Sequence, residues 1–448
     1  MSETRQGDII LRGLLTILVI SSFTSDLRLW NISFSINLSQ IVAIVLFGWL
    51  LVVCAINNLK IPIFYKDVTS FFIYLYFLSN LFSSLLYSSN RSLSLKGSAV
   101  IFIYVFIYMI TRWAMKFVLN PQTMVQKMVK YNHISALIGL GCMFFALLTG
   151  QENFGISYDQ LATAGISTLE TYVPSIKSLA IEPNLFAIST AVVLSINLCI
   201  YLLWRKSMKE LGIIVLLSVA IIFAYTRSVY IAIVISVLCL MVLSKRVKLL
   251  KSLASYTVVV LLIIGSLIII LPDASALKNA LESRARTLID FKSGSGLGRV
   301  EAYQIGYQGF LQNPLFGNGT LSADTQWYNP QKHEYGQRMG SPGWLMGLWI
   351  QALHDTGGVG LVIILCLFAS VLYANYKIFK ALSHLTIKKS IVLGFIGGNI
   401  IMFITAQLSS PLWISFPYIY WGINMAFLGH CREMIQRQDL PEVSVLPQ

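Results

Sequence analysis

The sequence predicts an all-α polytopic membrane protein of about twelve transmembrane helices, with one large polar loop between the ninth and the tenth. Apolar runs of about 17–25 residues, the length a helix needs to cross a bilayer, recur from Ile9 to Leu428. Hydrophobic residues make up 56% of the chain and charged residues 12%, with mean hydropathy +0.72. The third observation is a break in the pattern. Between Leu271 and Trp344 lies a long polar stretch holding Arg284, Arg286, Arg299, His333, Arg338 and the run Ser293-Gly-Ser-Gly-Leu-Gly298.

Taken in order, apolar runs against polar breaks place spans near 9–24, 37–55, 68–87, 97–111, 132–149, 184–204, 211–225, 228–244, 254–271, 345–375, 390–408 and 414–429. The first run lacks the small-residue cleavage pattern of a secretory signal and is followed by many more spans, so it reads as retained. The tenth is entered through an interfacial turn. This divides the chain into nine helices over 1–271, a large loop over 272–344, three helices over 345–430 and a tail over 431–448, polar and disordered from Gln436. No internal repeat is visible.

Charge sets the orientation. With the N-terminus inside, 21 of the 33 basic residues fall on inside connections, while the opposite side outside the large loop carries only Arg28, Arg91, Lys96, Lys177 and Arg227. Both termini are therefore cytoplasmic. The large loop, the 151–177 connection and the tight Tyr225–Ser228 turn share the far side. Much of the net charge of +14 is topology signal and implies no nucleic-acid partner. Seven basic residues in the loop stand outside that rule, which points to an anionic substrate. The six cysteines sit singly in or beside apolar runs with no CxxC, so they read as packing residues with no metal site.

Four segments could carry chemistry. Arg227, in Ala224-Tyr-Thr-Arg-Ser228, is either an arginine snorkelling to the headgroups or a guanidinium shaped to hold phosphate with paired donors. Gly298-Arg299 leads into Tyr303, Tyr307 and Phe310 at the spacing of a short amphipathic helix on the membrane surface, ended by the turn Asn313-Pro-Leu-Phe-Gly-Asn-Gly319. The glycines could expose N–H groups to an anion, but the run lacks the spacing and the Lys-Ser/Thr of a P-loop, so no nucleotide is implied.

Glu182, in Ile181-Glu-Pro-Asn184, reads as a helix start, with Pro183 in the first turn, or as a carboxylate able to take a proton from an attacking hydroxyl. Fourth is Trp344–Gly360, in which Gly357, Gly358 and Gly360 permit close helix packing. There His354 is either a buried hydrogen-bonded histidine or a substrate contact. In the loop, His333 lies among Trp327, Tyr328 and Tyr335, whose rings could stack on sugars.

In order and sidedness these segments resemble the O-antigen ligase and polymerase superfamily, most closely a Wzy-type polymerase. The resemblance rests on Arg227 in its Thr-Arg-Ser setting, on Gly298-Arg299 with the following aromatics and Pro-Leu-Phe-Gly-Asn-Gly turn, and on Trp349–Gly360. It implies a C-type glycosyltransferase-like bundle in the bacterial inner membrane, open to the periplasm and accepting undecaprenyl-diphosphate-linked glycans. It assigns Arg227 and Arg299 to the diphosphate, requires neither metal nor cofactor, and leaves membrane lipids and a chain-length regulator as further partners. Glu182 and His333 join the arginines as catalytic candidates, and His354 is a third residue that could take the proton. Arg286, Tyr303, Tyr307, Trp327, Tyr328, Arg338 and His354 are the substrate-binding candidates.

One departure separates this chain from the ligases of that superfamily. Their His-Asn pair, aligned without gaps through Gly357 and Gly360, falls on Met346-Gly347 here. That favours a polymerase over a ligase transferring chains to lipid A core. A flippase or transporter is the rival class, but such proteins place ionisable groups or broken helices at mid-bilayer in symmetric halves, and these span centres are almost free of charge.

Overall fold

The computed structural model describes residues 2–24, 28–31, 35–59, 65–118, 120–149, 153–160, 172–180, 182–204, 207–244, 295–323, 345, 347–382, 387–407, 409 and 411–438. Its helices are α1 (Ser2–Ser21), α2 (Leu38–Ile56), α3 (Val68–Leu86), α4 (Arg91–Ala114), α5 (Pro121–Thr149), α6 (Pro183–Leu203), α7 (Met208–Phe223), α8 (Arg227–Ser244), α9 (Ser295–Gln312), α10 (Leu348–Ala381), α11 (Ile387–Thr405) and α12 (Ser415–Gln438).

Every expected span within the described residues coincides with a helix. Eight of them, α2 to α6, α8, α10 and α11, are long and apolar enough to cross a membrane. The expected figure of about twelve is not reached on those criteria. Helix α1 is apolar only over Ile9–Ser21, α7 has 16 residues, and Asn424, His430 and the charged last turns of α12 lower its hydropathy. The run at 254–271 lies outside the described residues, as does most of the loop over 272–344. Helix α12 continues to Gln438, past the expected start of the tail.

Two antiparallel hairpins add strands that the all-α reading did not contain. Strands β1 (Arg28–Asn31) and β2 (Ser35–Asn37) join α1 to α2, and β3 (Ile156–Gln160) and β4 (Tyr172–Ile176) join α5 to α6. They are too short to register against hydropathy windows sized for spans.

The middle of the bundle is built on glycine and serine. Ser195 Oγ donates to Gly394 O at 3.1 Å and Ser236 Oγ to Gly397 O at 3.0 Å. A side chain at Gly398 would collide with Val192 and Tyr420. Small residues let α6, α8 and α11 approach backbone to backbone, which is how helices associate where lipid is as apolar as leucine. The pairings Val192 with Gly398 and Ile196 with Gly394 run α6 and α11 antiparallel. From Val192 back to Glu182, and from Gly398 on to Gln407, is about 15 Å of helix each way. Glu182 and Gln407 therefore lie at the same end of the bundle.

The opposite end of the α3/α4 pair is held by charge. Arg112 pairs with Asp67, donates to Ser70 Oγ at 2.6 Å and Tyr108 OH at 3.0 Å, and lies 4.1 Å over the Tyr65 ring. Asp67 also caps α3 by accepting from Ser70 N at 3.1 Å. Burial pushes the Tyr65 phenol above its ordinary pKa.

Candidate functional site

Two junctions occupy the Glu182 end. At the first, α7 stops at Phe223 and α8 starts at Arg227, a reversal so tight that Tyr225 takes φ +50°. Thr226 Oγ1 donates to Asn184 Oδ1 at 3.1 Å, fastening the start of α8 to the start of α6. Glu182 is the N-cap of α6, with extended backbone, Pro183 following at the first helical position and no side-chain cap bond. Arg227, half-buried, thus stands one residue from Thr226, and Glu182 two from Asn184. Both helices present their N-terminal N–H groups at this end, a setting that favours anions.

The second junction joins α9 to α10. Helix α9 begins at Ser295, so the end of the glycine run forms its first turn, whose N–H groups have no partner within the helix. Its inner face carries Ala302, Ile305, Gly306 and Gly309. Gly306 lies against Ile350 and Gly309 against the His354 ring, each too close for a methyl group. The outer face carries Tyr303 and Tyr307, 36% and 55% exposed. Tyr303 OH donates to Gln407 O at 2.7 Å. Leu348 N, at the start of α10, donates to Ala406 O at 2.8 Å. The first half of α9, with the Arg299 backbone one turn before Tyr303, therefore lies at the same bundle end as Arg227 and Glu182.

Helix α10 is interrupted at Gly357, where φ is +66° and ψ −163°. The glycine expected to aid helix packing instead makes room for the turn after α9, since a side chain there would strike the Leu315 carbonyl. Gly358 N donates to Pro314 O at 2.8 Å, Asn318 N to His354 O at 2.9 Å and Gly319 N to Asp355 O at 3.0 Å. Below the turn, Thr320 hydroxyl meets Asn80 Oδ1 at 3.0 Å and Ser84 Oγ at 3.1 Å.

His354 is fully buried, with Nδ1 2.9 Å from Asp355 Oδ1. Of the other expected site residues, Arg286, Trp327, Tyr328, His333 and Arg338 lie outside the described residues, as does the Arg299 side chain. Asn184 and Asp355 were not singled out from sequence. An acid within an apolar span was the available signal for Asp355; Asn184 offered none beyond its place after Glu182-Pro183.

Comparison with known proteins places this architecture in context. Residues 212–365, from α7 to the first part of α10, match the family model described as O-antigen ligase. The matched stretch contains Arg227, Arg299, the Asn313–Gly319 turn and the Gly357 break, and it supports the likeness to the O-antigen ligase/polymerase superfamily. Members of that family are membrane glycosyltransferase-like enzymes. No curated protein matches the chain.

Proposed function

We propose that this chain is a glycan polymerase that joins undecaprenyl-diphosphate-linked oligosaccharide units into O-antigen or a related surface polysaccharide, at the periplasmic face of the bacterial inner membrane. The observation that carries the reading is the Thr226–Asn184 bond. It fastens together the helix starts bearing Arg227 and Glu182, at the bundle end where α9 carries Arg299.

In this reaction a hydroxyl at the non-reducing end of an incoming unit attacks the anomeric carbon of the growing chain. The bond from that carbon to the diphosphate oxygen breaks and a glycosidic bond forms. The electron pair leaves with undecaprenyl diphosphate, so charge develops on phosphate oxygens, where fixed guanidinium groups act best. Arg227 and Arg299 hold those oxygens. Glu182 takes the hydroxyl proton, with His333 and His354 as the alternative bases. Tyr307 and the exposed ring of Tyr303, with Trp327 and Tyr328, stack on sugars, and Arg286 and Arg338 bind further anionic groups. No metal or cofactor is assigned a step.

A ligase reading is favoured by the description of the matched family. Against it, the position of the ligase asparagine is Gly347, with φ +120° and Gln407 O 2.7 Å from where a Cβ would stand. A side chain does not fit there.

Deleting the gene in its host and running the surface polysaccharide on a gel tests the reading. Collapse of the ladder to core plus a single unit is expected. Bare core with lipid-linked polymer accumulating would make the chain a ligase, and an unchanged ladder would return the flippase reading.

A further inference from the structure

We infer that Asp355 is a positioning residue that sets where α9 holds Arg299 against the substrate diphosphate; the inference rests on the polymerase reading above. Asp355 is the one buried carboxylate among the described residues, 2% exposed. Its Oδ2 accepts from Leu321 N at 3.1 Å and Gln351 Nε2 at 3.3 Å, and its Oδ1 meets His354 Nδ1 at 2.9 Å. Its backbone carbonyl accepts from Gly319 N at 3.0 Å and Ser83 Oγ at 2.6 Å. One residue thus ties together α10, α3 and the turn that ends α9.

Stability alone does not account for an acid here. A buried charged group is commonly no more stabilising than a well-packed apolar side chain of similar volume. What the carboxylate adds is geometry. Leu321 has φ +57°, a conformation unfavourable for leucine, and presents its N–H to the Asp355 Oδ2 oxygen. Through His354 the same carboxylate fixes the ring on which Gly309 of α9 rests. Asn318 completes the fastening, donating from Nδ2 to Gly309 O at 2.8 Å.

Helix α9 then acts as a lever. Arg299 is ten residues from Gly309, about 15 Å along the axis, so a tilt of about 5° displaces it by about 1.3 Å. A misplacement of about 1 Å near reacting atoms costs on the order of 10²-fold in rate.

The test is a double-mutant cycle on the purified full-length protein in lipid nanodiscs. The substrate is the lipid-linked repeat unit extracted from the host strain deleted for this gene. Asp355→Ala is expected to lower kcat at least about 10-fold with KM within about 2-fold. Arg299→Lys, which keeps the charge and loses the fork, provides a background with measurable activity. In that background Asp355→Ala is expected to cost less than about 2-fold more, because the positioned group is already compromised.

Multiplicative losses, or losses explained wholly by a lower thermal midpoint, would overturn the positioning role. Full activity of both Arg299→Lys and Arg299→Ala would remove the diphosphate role of Arg299 and the inference with it, whereas no polymer from the unaltered protein would overturn the polymerase reading. Where Asp355→Ala does not fold, Asp355→Asn, which keeps an acceptor for Leu321 N, goes through the same cycle. There a loss of about 3-fold or more that vanishes in the Arg299→Lys background supports the role, and a smaller or multiplicative loss overturns it.

Discussion

Adding a single methyl group to α9 at Gly309 separates a seated helix from one that merely lies on the surface. The new Cβ would stand 2.7 Å from His354 Nε2 and 3.1 Å from Asn318 Nδ2, closer still to His354 Cδ2, where ordinary carbon contacts are about 3.5–4.0 Å. The ring cannot swing aside without breaking its bond to Asp355. Helix α9 must therefore shift outward by close to 1 Å. Overpacking of this kind costs about 1–3 kcal/mol, while alanine in place of glycine within a helix returns about 1 kcal/mol. The expected net loss is about 1 kcal/mol, a fall of about 1 °C in thermal midpoint for a chain of 448 residues. Polymer formation per folded molecule should fall by about 10²-fold, because Arg299 moves with the helix. Gly48→Ala in α2, where no atom lies within 4 Å of the added carbon, is the control and should raise the midpoint. If Gly309→Ala also raised the midpoint and left activity intact, the seating of α9 on His354 and the lever argument would both be wrong.

Three further outcomes follow from the geometry. Thr226→Val removes the bond to Asn184, worth about 1 kcal/mol, and should cut polymer yield about 10-fold at a near-normal midpoint; normal yield would show that this bond does not set the helix starts. Tyr303→Phe keeps the ring but loses the bond to Gln407, so a rate loss shared by Tyr303→Phe and Tyr303→Ala points to fastening, and a loss confined to Tyr303→Ala points to sugar stacking. Asp67→Asn leaves the Arg112 charge partly uncompensated at the far end of the bundle, so it should lower stability by about 1–3 kcal/mol while activity per folded molecule holds; reduced turnover would contradict the placement of the site.

Hydropathy found the helices because crossing lipid demands length and apolarity, and both are local properties. The tight turn at Arg227 and the helix start at Pro183 were equally legible, since each depends on a few neighbouring residues. The bond between Thr226 and Asn184 was not, for it joins residues 42 apart and nothing in either segment names its partner. Gly357 is an intermediate case. A glycine in an apolar run signals close approach, but whether a neighbouring helix or a turn fills the space is decided by chain far away, here Pro314–Gly319. At the break it is Asp355, next to His354 in sequence, that gathers most of the side-chain bonds.

The break in α10 also shortens the part of the helix that has to cross lipid. Unbroken, 34 helical residues would measure about 51 Å, well beyond a hydrocarbon layer about 30 Å thick. The stretch from Gly358 to Ala381 alone is about 36 Å and suffices to span it. His354 and Asp355 precede that stretch, beside Ser83 in the last turn of α3. There an ionisable pair is far cheaper to keep than at the midplane. The interruption thus lets one continuous segment serve two solvents, an apolar rod below and a hydrogen-bonded socket above.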